Sequence, residues 1–150
     1  MVEKIVEKMT LEEKIALGSG KDFWHTKAMK DYGIPSLMVA DGPHGLRKQE
    51  DTADMLGLNQ SVPATSFPTA VTSACSWDRE LLKLEGEAIA KEALANGVGV
   101  VLGPGANIKR NPRCGRNFEY FSEDPCLTGE LAAAFIQGAE STGAGTSLKH

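Results

Sequence analysis

Little in this sequence points to a metal, a membrane or a polyanion. Its three cysteines, Cys75, Cys114 and Cys126, are odd in number and show no CxxC spacing, so neither a zinc site nor a disulfide framework is indicated. Reduced thiols in a cytoplasmic protein are the expectation. The first residues, Met1-Val-Glu-Lys-Ile-Val-Glu-Lys, alternate charge with apolar side chains and lack an apolar h-region, so no signal peptide is expected. The longest apolar run falls far short of a membrane span. Excess positive charge is missing too: 16 Lys and Arg face 20 Asp and Glu, a net charge of −4. That leaves no electrostatic footprint for nucleic acid or an anionic membrane surface. Internal repeats, low-complexity tracts and linkers are also absent.

What is present is an ordinary globular composition, 41% hydrophobic and 24% charged over 150 residues, enough for one domain or part of a larger one. Thr10-Leu-Glu-Glu13 spells a capping box and starts a helix to about Leu17. A short helix is expected over 27–32, closed by Gly33. Ile34–Ala40 reads as a buried strand ending at Asp41, followed by a long polar loop over 41–66. Asp78 opens a strong helix that Gly97 stops. Val98–Leu102 is a second apolar strand, and a second long loop spans 103–127. A helix from Thr128 to about Gly143 leads to a third strand over 144–148 and to Lys149-His150.

Strands without polar alternation, separated by amphipathic helices, predict an α/β fold with parallel strands covered on both faces. Each strand delivers chemistry-bearing residues at its carboxyl end, where such folds build sites, on a barrel rim or in an open-sheet crevice. A third strand without a helix after it would leave an apolar face bare, so the polypeptide is expected to continue past His150.

Three stretches carry the candidate chemistry. In Asp41-Gly-Pro-His-Gly-Leu-Arg47, a carboxylate directly after a strand can accept two hydrogen bonds from vicinal hydroxyls, and Arg47 offers a fixed fork of donors. An Asp-Gly turn beside a solvated arginine explains the same spacing. In Gly115-Arg-Asn-Phe-Glu-Tyr-Phe-Ser-Glu-Asp-Pro125, the charges of Arg116, Glu119, Glu123 and Asp124 interleave with three aromatics, so some must be paired in partial burial. An ion-pair network that shapes the loop accounts for at least one of the acids. Lys149-His150 gains weight from its place at the third strand end. Gly103-Pro-Gly-Ala-Asn107 is not a phosphate loop, because it has no GxGxxG or GK[ST] and its proline removes an amide donor. His25 and His44 each fit a capping or backbone-bonding role.

These motifs, "SGKDFWHT" (19–26), "DGPHGLR" (41–47), "LGPGANIKRNPRCGRNFEYFSEDP" (102–125) and "GTSLKH" (145–150), resemble the family 3 glycoside hydrolases, in their β-glucosidase branch. The resemblance implies the N-terminal part of a truncated (β/α)8 TIM-type barrel, followed in the family by an α/β sandwich domain. It implies exo-acting, retaining hydrolysis of terminal β-D-glucosyl units without a metal or organic cofactor, on a β-glucoside or oligosaccharide substrate. A β-xylosidase or a related exo-β-glycosidase is the alternative, as is a non-catalytic sugar-binding fragment when the segment is isolated. Asp41, Arg47, Arg116, Lys149 and His150 match the family's sugar-binding groups at the −1 subsite. No catalytic residue is assigned within these residues: the nucleophile and the acid/base are expected downstream of His150. Oligomeric state is left open.

Overall fold

The computed structural model describes residues 2–50 and 59–150; residues 51–58 of the first long loop lie outside the description. Two short helices lead the chain, α1 (Val2–Lys8) and α2 (Leu11–Leu17), and neither buries a residue. The capping box forms as the sequence predicts: the Glu13 amide donates to the Thr10 hydroxyl at 3.2 Å, and the Thr10 amide to the Glu13 carboxylate at 2.8 Å. Two orphan amides of the first turn are thereby satisfied reciprocally.

The three named strands, β1 (Val39–Asp41), β2 (Val100–Leu102) and β3 (Gly145–Thr146), are parallel and lie in the order β1-β2-β3. The register aligns Asp41 with Leu102 and Val101 with Thr146. All three are shorter than expected, and for β1 the reason is visible. Pro35 has no N–H to give a ladder. The backbone at 37–39 is already engaged by the segment before it: the Thr26 amide donates to Leu37 O at 2.9 Å, and the Val39 amide to Trp24 O at 2.8 Å. This flank is antiparallel, with His25 opposite Met38, so the apolar run from Ile34 feeds a turn before it feeds the sheet.

Helices α4 (Arg79–Ala95) and α5 (Pro125–Glu140) connect the strands. Asp78 caps α4 as expected, its carboxylate accepting the amides of Glu80 and Leu81. The second helix starts earlier than Thr128: Asp124 is its N-cap and Pro125 fills the first turn, where a missing N–H costs nothing. Between the first loop and α4 a short helix α3 (Ala70–Ala74) appears that no periodicity announced. The expected helix over 27–32 reduces to a 3-10 turn, Lys30–Tyr32, closed by Gly33 at φ 68°.

The core forms between the sheet and the two long helices, and again among the helices. Ala40, Val98 and Val101 from the sheet region meet Ile89 and Ala93 of α4 and Phe135 of α5. A second cluster joins Ala70 and Ala74 of α3 to Leu82, Phe121, Leu131 and Ala134. The two long helices cross at two glycines. A Cβ on Gly86 would lie 2.2 Å from Phe135 O, and one on Gly138 only 1.9 Å from Lys83 O. Backbone on backbone at that distance leaves room for no side chain at either position.

Candidate functional site

Five residues nominated from the sequence fall at the carboxyl ends of the three strands, and the structure joins four of their side chains. Asp41 closes β1. Lys149, just beyond β3, reaches across to it, and its Nζ donates to Asp41 Oδ1 at 2.5 Å. The extended tail after β3 is fastened to the loop after β2: Lys149 N donates to Pro104 O at 3.1 Å and Ala106 N to Lys149 O at 2.9 Å. The His150 amide donates to Asn107 Oδ1 at 2.9 Å. The peptide bond between Lys149 and His150 is cis. Backbone pairing at the strand ends therefore places these two side chains.

Arg116 and His150 meet in the same cluster. Arg116 Nη2 lies 2.6 Å from His150 Nε2, and His150 Nδ1 lies 3.1 Å from the Tyr120 hydroxyl. Arg116 Nε also donates to Glu119, whose carboxylate is buried. The fifth residue, Arg47, enters through its backbone, its amide donating to Asp41 O at 2.8 Å. That bond folds the 41–47 loop back onto the end of β1. Gly45 allows the fold: it has φ 126°, and a Cβ there would come within 2.1 Å of Thr65 O. An L side chain rarely adopts that φ and would find no space.

The electrostatics follow from these pairs. Asp41 offsets Lys149 and Glu119 offsets Arg116, while the Asp41 and Lys149 side chains remain 38% and 17% exposed. The pairs are reachable from solvent. Burial, with Arg116 and Lys149 adding to it, holds the His150 imidazole below its ordinary range, although Glu119 and Asp41 pull the other way. Burial likewise depresses His44. His44 Nε2 accepts the Ala70 amide at 3.0 Å and so caps the start of α3, a structural role. His25 is committed to Asp22 at 2.8 Å and is not part of the cluster. Glu123 is exposed and Asp124 caps α5, so the acids of the 115–125 loop divide between shape and site. Among the described residues no group of acidic, His and Cys side chains could hold a metal ion.

Three groups joined to the cluster carry weight that the sequence did not assign: Glu119, Tyr120 and Asn107. Asn107 lies in a stretch whose residues were weighed singly only as a phosphate loop, yet a side-chain amide in the loop that follows the end of β2 at Leu102 is the signal that marks it. Tyr120 and Glu119 stood among neighbouring aromatics and acids that spacing cannot sort. A groove of about 600 Å³ lined by Trp77, Lys109, Arg110 and Phe121 contains none of the five nominated residues, so size does not mark the chemistry here.

A cluster of balanced charges rich in directional donors and acceptors is built for a neutral, polyhydroxylated ligand: each hydroxyl both donates and accepts, and none upsets the charge balance. Residues 25–150 match the glycosyl hydrolase family 3 N terminal domain, and the chain belongs to that family. It is 60% identical over 149 residues, 99% of its length, to the thermostable beta-glucosidase B of Acetivibrio thermocellus, covering 20% of that protein. It is 53% identical over 146 residues, 97% of its length, to an exo-alpha-(1->6)-L-arabinopyranosidase of Bifidobacterium longum, covering 19% of it. Its fold is similar to that of the beta-glucosidase of Kluyveromyces marxianus solved in complex with glucose, with a TM-score of 0.89 and 39% identity over 100% of this chain and 17% of that one. The chain thus spans about a fifth of the length of the curated relatives it matches.

Proposed function

We propose that these residues form the N-terminal portion of a family 3 β-glucosidase, and that their strand-end cluster binds the terminal β-D-glucosyl unit at the −1 subsite. The observation that carries the reading is the Asp41–Lys149 pair at 2.5 Å, which bridges the ends of β1 and β3, with Arg116 and His150 in the same cluster. In this reading Asp41 accepts hydrogen bonds from adjacent sugar hydroxyls. Lys149 and Arg116 donate to them, Arg47 contributes from the folded-back loop, and His150 closes on the ring. Charge-assisted hydrogen bonds of this kind contribute about 1.5–3 kcal/mol each and discriminate by hydroxyl geometry.

The remaining strands of a (β/α)8 barrel and a following α/β sandwich domain complete the protein in this reading. Hydrolysis is exo-acting and retaining, with a nucleophile and an acid/base carboxyl roughly 5–5.5 Å apart. Both lie outside residues 1–150, and no acid described here is assigned either role. The three cysteines are free and exposed, which suits the reducing cytoplasm we propose as its location.

A second reading, an exo-acting α-L-arabinopyranosidase, is favoured by the 53% identity to the bifidobacterial enzyme. The test is the full-length enzyme assayed on aryl β-D-glucoside, β-D-xyloside and α-L-arabinopyranoside, with Asp41→Ala beside the wild type. The glucoside is expected to give the highest kcat/KM. Asp41→Ala is expected to lose about 3 kcal/mol or more of transition-state stabilisation, roughly a hundredfold in kcat/KM. Preference for the arabinopyranoside would establish the second reading. Near-wild-type kcat/KM in Asp41→Ala would remove the site assignment from both.

A further inference from the structure

We propose that Tyr120 is a positioning residue for His150: its hydroxyl oxygen accepts a hydrogen bond from Nδ1–H and so holds the proton on Nδ1, which leaves Nε2 as a hydrogen-bond acceptor for the sugar. The inference rests on the sugar-binding reading of the cluster. Arginine has five N–H donors and no acceptor. Arg116 Nη2 at 2.6 Å therefore requires a lone pair on His150 Nε2. A neutral imidazole carries one N–H and one lone pair, so the hydrogen belongs to Nδ1, which faces the Tyr120 oxygen at 3.1 Å. This tautomer is assigned from the network of partners. A ring protonated on both nitrogens would aim an N–H at the guanidinium.

Tyr120 is held firmly enough to impose that choice. It is 6% exposed, and its ring meets the His150 ring edge-on at 5.7 Å and 80°. It lies against Gly105, where a Cβ would come 3.1 Å from Tyr120 Cδ1 and 2.9 Å from Glu119 O. The glycine admits the ring; any side chain there would displace it or the backbone beside it. Consecutive residues then divide one task. Glu119 holds Arg116, and Tyr120 holds the imidazole that Arg116 touches. A neutral sugar needs acceptors as well as donors, and the Nε2 lone pair becomes one when a sugar hydroxyl displaces Arg116 Nη2 from it.

The experiment uses the full-length protein with histidine labelled by 15N in the ring, at near-neutral pH. His150 signals are identified by their disappearance in His150→Gln. In the wild type Nδ1 is expected to carry the proton and Nε2 to be bare. In Tyr120→Phe the ring shifts should move toward a mixture containing Nε2–H. The kcat/KM on the aryl β-glucoside should fall about tenfold, the size of one net hydrogen bond, while the His44 signals stay in place. A wild-type ring protonated on Nε2 would overturn the proposal. So would a folded Tyr120→Phe protein with either the wild-type 15N pattern or wild-type kcat/KM. If that variant does not fold, the wild-type spectrum decides alone. Failure of the glucosidase reading looks different: the wild type would not turn over the glucoside, yet its ring shifts would still report the tautomer.

Discussion

Arg116 shows what one side chain can settle. Its Nε serves Glu119 and its Nη2 serves His150, so two edges of one planar group act at once. The Glu119 bond pushes its guanidinium further toward the charged form, and positive charge alone is therefore not what the position lacks alternatives for. Lysine would keep the charge but can offer a single point, not a fork. Arg116→Lys is expected to lose most of what Arg116→Ala loses in kcat/KM, within about a factor of ten of it, when both are assayed in the full-length enzyme. A lysine variant with full activity would show that charge is sufficient. At this scale the sequence was informative about type and place. That Asp41, Arg116, Lys149 and His150 lie near one another was legible because topology brings strand ends together. Asn107, Glu119 and Tyr120 were not, because their roles depend on which neighbour they meet, and spacing within a loop does not say.

At the scale of elements, strong helices were read well and strands too generously. Caps explain the first: Thr10 and Asp78 announce their helices through bonds that form locally. The first strand shrank because the antiparallel flank at 24–26 takes backbone bonds at 37–39 that its apolar composition assigned to the sheet. The α3 helix escaped notice because one turn carries no period. The crossing of α4 and α5 makes a sharp prediction. Gly138→Ala would force a Cβ to within 1.9 Å of Lys83 O, whereas Gly129 of the same helix has nothing within 4 Å. Thermal unfolding should show Gly138→Ala destabilised by about 1–3 kcal/mol or more. Gly129→Ala should be neutral or stabilised by up to about 1 kcal/mol. Equal effects would contradict the close crossing. Between α3 and α4, Glu85 is buried beside Phe67, Leu81 and Leu84, and the Ser73 hydroxyl donates to it at 2.8 Å. Burial raises its carboxyl above the ordinary range, and the serine only partly offsets this. The folded state thus holds this proton more tightly than the unfolded state. The stability linked to it is complete below the ordinary glutamate range and is lost as pH rises through the raised value. Glu85→Gln keeps an acceptor for Ser73 and should raise the unfolding free energy at neutral pH by an amount on the order of 1 kcal/mol. It should also flatten the loss of stability just above pH 4.5, the ordinary value of such a carboxyl. An unchanged pH profile would count against a buried, proton-holding Glu85.

For the molecule as a whole, three parallel strands and two long helices bring residues 41, 116, 149 and 150 into one cluster from opposite ends of the chain. The bond from Lys149 to Asp41 spans 108 positions of sequence, and it holds because β1 and β3 both flank β2. Within the cluster acid meets base and base meets imidazole. Binding a sugar means exchanging those internal partners for hydroxyls at nearly constant charge. The central claim is that these groups hold one glucosyl unit together. A crystal structure of the full-length protein soaked with glucose tests it most directly. The account predicts one glucose with its hydroxyls within hydrogen-bond distance of Asp41, Arg116, Lys149 and His150, and Tyr120 still on His150 Nδ1. Glucose bound elsewhere, with the Asp41–Lys149 and Arg116–His150 contacts untouched, would contradict it.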